Sequence, residues 1–237
     1  MIFFYIRHGD PIYVPDKLSP LGERQAEALA KRLSVYGLDR IYASTSGRAM
    51  ATAQPTCELL RKKMQLLDFA HENYAGERLE VIYCNKRGWI FDFPDIIQKL
   101  ATWNITNPDE PWYDLPEIKD FHIGDGIDQY KKETDEFFLS LGYEHIDGTG
   151  MYKVVKPNDE RIALFAHQGF GMAFLSCLLD IPYPTFFSHF DLSHSSMTVI
   201  EFKEINGYTI PKVCTLSSDS HLYREGLPTE YNYRLKF

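Results

Sequence analysis

The chain has 237 residues, 44% of them hydrophobic and 14% aromatic, which is enough apolar material for a sizeable core and excludes a disordered or collagenous polymer. With 25 Lys and Arg against 33 Asp and Glu, the formal charge is −8, so the broad cationic footprint expected of a nucleic-acid or anionic-lipid binder is missing. An anionic substrate has to be drawn by a few focused cations. Cys57, Cys84, Cys177 and Cys214 are far apart and make neither a CxxC pair nor a disulfide framework, which suits reduced thiols in the cytoplasm. The apolar start, Met1 to Ile6, is too short for a signal-peptide core, and no run reaches the length needed to span a bilayer.

In chain order, Ile2 to Ile6 is a continuous apolar run that reads as a strand buried on both faces, ending abruptly in Arg7-His8-Gly9-Asp10. Ser19-Pro20 supplies an N-cap and a proline at the first helical position, Ala26, Leu29, Ala30 and Leu33 follow at helical spacing, and Gly37 closes that helix. A strand is expected over Arg40 to Ser44, a helix from about Arg48 to Arg61, and a third strand over Met64 to Phe69. The same alternation resumes at Arg161 to Ala166, which ends in His167-Gln168-Gly169 and passes into a helix from about Phe170 to Leu179. Met197 to Phe202 and Tyr208 to Ser217 are further strand candidates. This grammar predicts an α/β fold of three αβα layers with a mainly parallel central sheet.

The pattern breaks over residues 80–159, which hold Trp89, Trp103 and Trp112, a loop rich in Pro and Asp around Asn107 to Pro116, and a helix from about Ile127 to Leu141. We read 1–237 as a single domain with 80–159 as an insertion or lid over the site, its aromatic residues forming either a wall over the substrate or a small core of their own.

Ligands of open α/β sheets bind at the carboxyl ends of the strands. Two expected strands end in histidine, His8 and His167, and Arg7 and the helix-start residue Arg48 reach the same edge. Four such groups would surround one small anion, an arrangement suited to a phosphoryl group. His189 to His194 does not have the spacing of a metal motif, and no metal or cofactor is expected.

The runs Arg7-His8-Gly9-Asp10, Leu18-Ser19-Pro20-Leu21-Gly22 through Ala26, Ser44 through Ala53, and His167-Gln168-Gly169 resemble the histidine phosphatase superfamily, the phosphoglycerate-mutase-like fold. The resemblance hardly touches the 80–159 segment. It implies a phosphomonoester hydrolase of the histidine acid type in which His8 is the nucleophile, Arg7, Arg48 and His167 hold the phosphoryl oxygens with the Gln168 backbone N–H, and no metal is required. A Glu or Asp about two dozen residues after the second arginine is the family's proton donor. Glu72 stands 24 positions after Arg48 with Gly76 four further on, and Glu77, Glu80 and Asp92 are the fallbacks. Many relatives carry Thr and then Asn where this chain has Pro11-Ile12-Tyr13. Tyr13 or Ser19 could take over the missing contact, and His194 or Ser195 could line the pocket rim.

Three functions follow: a phosphatase, a phosphoglycerate-type mutase on the same fold, and a non-catalytic phosphate-binding module. The mutase needs basic lid residues for a carboxylate, and the lid segment offers only Lys86 and Arg87. The partner expected is a small phosphomonoester, with no nucleic acid and no membrane. The sequence carries no signal for an oligomeric state.

Overall fold

The computed structural model describes residues 1–103, 111–116 and 118–229. Six strands form the central sheet: β1 (Ile2–Arg7), β2 (Arg40–Ser44), β3 (Met64–Leu67), β4 (Arg161–Ala166), β5 (Met197–Glu201) and β6 (Lys212–Ser218). Their spatial order is β6-β5-β1-β4-β2-β3. β1, β4, β2 and β3 run parallel, and β5 lies antiparallel to both β1 and β6. Side chains of β1 alternate between faces, so Phe3 and Tyr5 enter one core while Phe4 and Ile6 enter the other. That two-sided burial is why the strand reads as an unbroken apolar run.

On the Phe4 and Ile6 face lie α1 (Pro20–Tyr36) and α2 (Gly47–Leu60), which contribute Leu29, Leu33, Ala53 and Cys57 to that core. Ser19 caps α1 through the N–H of Gly22, and Ser46 caps α2 through that of Ala49. After β3 come α3 (Glu72–Leu79), a hairpin over Glu80–Tyr83 and Lys86–Trp89, and α4 (Pro94–Leu100). On the Phe3 and Tyr5 face lie α5 (Ile123–Ser140) and α6 (Gln168–Leu179). Phe3 meets Phe138 with ring centroids 5.3 Å apart, and Phe170 meets Tyr130 at 5.8 Å. The chain continues through α7 (Tyr183–His189) and ends its described part with α8 (Ser220–Arg224), which packs on α1.

The expected layered α/β fold with a mainly parallel sheet is present. The 80–159 segment divides in two. Its helix α5 starts four residues earlier than the sequence pattern suggested and forms part of an outer layer of the sandwich, because its buried Ile123, Tyr130, Phe137 and Phe138 need the sheet and α6 to cover them. The hairpin ends at the carboxyl edge of the sheet, where Trp89 lies against Gly169, and α4 follows it in the chain. Two strands appear where none was expected, Tyr143–Ile146 and Met151–Val154, and with Tyr208–Thr209 they make a separate three-stranded sheet. The stretch expected as one strand over Tyr208 to Ser217 is thus two strands in different sheets. Part of the loop around Asn107 to Pro116 lies outside the described residues.

Candidate active site

Strand register brings the two histidines together. Arg7 is level with Ala166 across β1 and β4, so the next residue of each chain, His8 and His167, leaves the sheet side by side. The His8 N–H donates to the Ala166 carbonyl at 2.9 Å, and the ring centroids are 5.1 Å apart. Both side chains are buried.

Their tautomers follow from their partners. His8 Nδ1 lies 2.7 Å from the Gly9 carbonyl, which can only accept, so Nδ1 carries the hydrogen. His8 Nε2 keeps its lone pair and accepts from Arg48 Nε at 3.2 Å. His167 Nδ1 accepts from Arg48 Nη2 at 3.0 Å, which leaves its Nε2 hydrogen for the hydroxyl of Ser44 at 2.9 Å. Arg7 Nη2 donates to His194 Nε2 at 2.8 Å, and that ring is 5.5 Å from His8. Three neutral imidazoles each turn a lone pair toward a guanidinium.

Burial, reinforced by neighbouring positive charge, keeps them neutral. His8 is held well below the ordinary histidine range by desolvation first and then by Arg7, and His167 by desolvation and then by its neighbours His8 and Arg48. His194 is pushed down to about 3 by burial, Arg7 and Arg48. Burial lowers Arg7 too, yet a guanidinium stays charged at any physiological pH.

Arg48 spans the site. Besides the two histidines it holds Asp16, whose Oδ1 accepts from Nη1 at 2.7 Å while Oδ2 accepts the Gly47 N–H at 2.7 Å. The exposed Tyr13 ring lies 5.4 Å from the same guanidinium. A Cβ on Gly47 would meet the Asp16 carbonyl at 2.2 Å, so only glycine lets the 11–18 loop come this close to α2.

Glu72, the first residue of α3, reaches across to the start of α6. Its Oε1 accepts the Gly169 N–H at 2.9 Å and its Oε2 the Phe170 N–H at 3.2 Å. Those donors, Arg48 and Arg7 favour the carboxylate, but burial outweighs them and raises Glu72 above the usual carboxyl range. Gly169 is confined from both sides: a Cβ there would meet Trp89 Cζ2 at 2.4 Å and Glu72 Oε1 at 2.7 Å.

His8, His167, Arg7, Arg48 and Glu72 therefore gather at one edge of the sheet, with Gln168 opening α6 beside them and its side chain on Asp191. His194 joins them through Arg7. Tyr13 flanks Arg48. Ser19 does not face the site: its hydroxyl bonds Asp10 and caps α1. Ser195 also turns away. Its φ of 62° puts it in the left-handed region and sends its hydroxyl inward to His221 Nε2 at 3.0 Å, while its N–H donates to the His8 carbonyl at 2.9 Å. Of the fallback carboxylates, Glu80 pairs with Arg87, and Asp92 accepts the Trp89 N–H. Sequence reasoning passed over Asp16 and Ser44. Ser44 ends a strand beside β4 and was open to the same strand-end argument as the histidines, whereas Asp16 had no signal beyond being a loop carboxylate.

Trp89 stacks on Phe91 with centroids 5.6 Å apart, and Phe91 lies 5.6 Å from Phe187, making an aromatic ridge beside Gly169. Trp112 is instead buried against Tyr113 and Tyr183. A neutral imidazole whose lone pair is held only by a guanidinium that an anion can draw off, two guanidiniums, further imidazoles and an elevated carboxyl can together bind a tetrahedral anion, attack it and move a proton. Among the described residues there is no cluster of three or more His, Cys, Asp or Glu placed to hold a metal ion.

The model of the histidine phosphatase superfamily (branch 1) matches residues 5–81. No curated protein matches the sequence. Among solved structures, a phosphoserine phosphatase mutant from Entamoeba histolytica in complex with phosphoserine is 19% identical, with a TM-score of 0.59 over 93% of this chain and 98% of its own. A mycobacterial glucosyl-3-phosphoglycerate phosphatase complexed with VO3 is 17% identical, with a TM-score of 0.57 over 92% of this chain and 99% of its own. These structures share the fold.

Proposed function

We propose that this chain, whose residues 5–81 match the model of the histidine phosphatase superfamily, is a member of that superfamily and hydrolyses a small phosphomonoester through a phosphohistidine on His8. The observation that carries the reading is the hydrogen bond from His8 Nδ1 to the Gly9 carbonyl, which commits the Nε2 lone pair to the side where Arg48 donates. On arrival of a phosphoryl anion, the N–H groups of Arg48 and Arg7 now spent on neutral imidazoles turn to its oxygens, as charge-assisted bonds to phosphate are the stronger ones.

His8 Nε2 attacks phosphorus as the ester P–O bond breaks, and the Glu72 carboxyl gives its proton to the leaving oxygen. The positive charge on the phosphorylated ring is shared with the Gly9 carbonyl through Nδ1–H. Water then attacks phosphorus, Glu72 takes the water's proton, the P–N bond breaks, and phosphate and neutral His8 are restored. His167, relieved of its bond from Arg48, turns Nδ1 to an equatorial oxygen and donates there after taking the proton that a phosphomonoester monoanion brings, since its other hydrogen stays on Ser44. The charge is met by side chains of the chain itself, which is why we read the reaction as metal-independent.

We assign the lid role to the hairpin and α4 at the front of the 80–159 segment, with Trp89 as the wall nearest the leaving group. No described helix is long and apolar enough to cross a membrane, and Cys57, Cys84, Cys177 and Cys214 are unbridged, in keeping with a cytoplasmic enzyme on a small-molecule substrate.

Incubation with an aryl phosphate in the presence of a chelator is expected to release phosphate and, on acid-free denaturation, to leave an acid-labile phosphoenzyme. His8→Ala is expected to lose both. Turnover that survives His8→Ala would overturn the reading.

A further inference from the structure

A cleft of about 410 Å³ opens between α1 and α8, away from the sheet edge that holds the catalytic groups. Lys31, Arg32, Arg224, Glu225 and His221 line it, three cations against one carboxylate in a chain of net charge −8. Lys31 and Glu225 pair with each other at 2.6 Å, so the excess falls on the two arginines. Arg32 Nη2 donates to the Tyr36 hydroxyl at 3.2 Å, but its Nε is buried and has no hydrogen-bond partner among the described residues.

His221 lies against the same cleft. Its side chain is 97% buried (3% exposed), Nε2 is engaged by the Ser195 hydroxyl, and Nδ1 has no partner among the described residues. A buried polar atom without a partner costs stability, and the ring that carries this one lines the cationic cleft, where a ligand that draws the ring toward it would complete it. Burial and Arg32 push His221 down to about 4, against Asp219, so the ring is neutral near pH 7.

The same ring reaches the catalytic histidine in two bonds. His221 holds the Ser195 hydroxyl, and the Ser195 N–H holds the His8 carbonyl from a left-handed backbone that a serine adopts only at a cost. We propose that the cleft between α1 and α8 is a second anion site, fitted to a tetrahedral phosphoryl dianion held by Arg32, Arg224 and His221, and that its occupancy is transmitted through Ser195 to His8.

The coupling to His8 rests on the proposed phosphatase reading, whereas the binding site does not. Calorimetric titration of the full chain with inorganic phosphate is expected to find two sites, and the Arg32→Gln/Arg224→Gln chain one, the lost site weakened at least about tenfold. Tungstate-soaked crystals are expected to show an anomalous peak between Arg32, Arg224 and His221 as well as one at His8. A parallel titration with a non-hydrolysable phosphonate monoester separates the sources: entry into the cleft identifies an esterified phosphoryl group as ligand, and exclusion identifies free phosphate. Phosphate inhibition of aryl phosphate turnover is expected to include a kcat component that the double variant lacks. One site in the unmodified chain, or two in the variant, overturns the site. Purely competitive inhibition in both chains overturns the coupling, and a chain with no turnover fails the phosphatase reading while the site count stays readable.

Discussion

The backbone N–H of Gly169 donates to Glu72 Oε1 at 2.9 Å, joining the first residue of α3 to the first turn of α6, 97 positions later. The bond fixes a buried carboxyl at the start of α6, two residues after His167, and burial keeps its proton more firmly held than usual. In the proposed reaction this group protonates leaving oxygens that cannot depart unaided. Glu72→Gln is expected to slow hydrolysis of alkyl phosphates by about 10²–10⁴-fold and that of nitrophenyl phosphate far less. Equal slowing of both in kcat/KM would move the acid elsewhere.

The pH profile has a defined sense. In the proposed reaction His8 must be neutral to attack, and its pKa is held below the ordinary histidine value, so activity is expected to rise with pH through a limb on the acid side of about 6.5. Glu72, as the proposed acid, must be protonated, and its value is raised, so activity is expected to fall as pH climbs past that raised carboxyl. The two limbs give kcat/KM for alkyl phosphates an acidic optimum. Nitrophenyl phosphate is expected to keep the first limb and flatten the second. A profile for alkyl phosphates rising steadily to pH 9 would contradict both assignments.

Gly169→Ala tests the packing of Trp89 on the start of α6. The added methyl would sit 2.4 Å from the indole and 2.7 Å from Glu72 Oε1, so either the hairpin or the carboxyl must move. Overpacking of this kind costs about 1–3 kcal/mol. The expected result is a lower kcat with alkyl phosphates and a changed tryptophan fluorescence. Unchanged kinetics and fluorescence would place Trp89 away from the reacting groups.

Asp16 holds an Arg48 donor that a phosphoryl oxygen also needs. Asp16→Asn removes a negative charge beside the incoming dianion and is expected to tighten phosphate inhibition several-fold, an amount typical of one partly exposed charge pair. Weaker inhibition in the variant would mean that Asp16 chiefly orients the guanidinium.

His145 lies between Asp135 at 2.8 Å and Asp180 at 2.9 Å. Burial lowers its affinity for a proton, but the two carboxylates outweigh burial and raise it. Because the folded value is above the unfolded one, the stabilisation is complete below about 6.5 and is lost as pH rises through the folded value. Thermal stability should therefore decline over that upper range, and His145→Gln should flatten the slope. An unaltered slope would assign it to other groups.

The pair of strand-end histidines was legible because strand β1 and strand β4 are buried on both faces and stop at a charged or polar residue, and the capped helices α1 and α2 because Ser19, Pro20 and Ser46 are local signals. Ser195 was misread because adjacency to His194 says nothing about a φ of 62°, which reverses the side chain's direction. The Trp89 contact depends on the register of a hairpin whose partners, Glu80 and Trp89, make a pair that no pattern of period two distinguishes from a loop. Asp16 depended on how a short loop folds over α2, which is a matter of tertiary approach and not of propensity.

The side-by-side exit of His8 and His167 from β1 and β4 joins residues 159 apart through one of the most non-local pairings in the molecule. Chains with this kind of topology close such pairings late and slowly. Turnover should thus be the last property to return on refolding, after helical circular dichroism, and neither half of a chain cleaved between them should work alone, since each would carry one imidazole of a two-imidazole pocket.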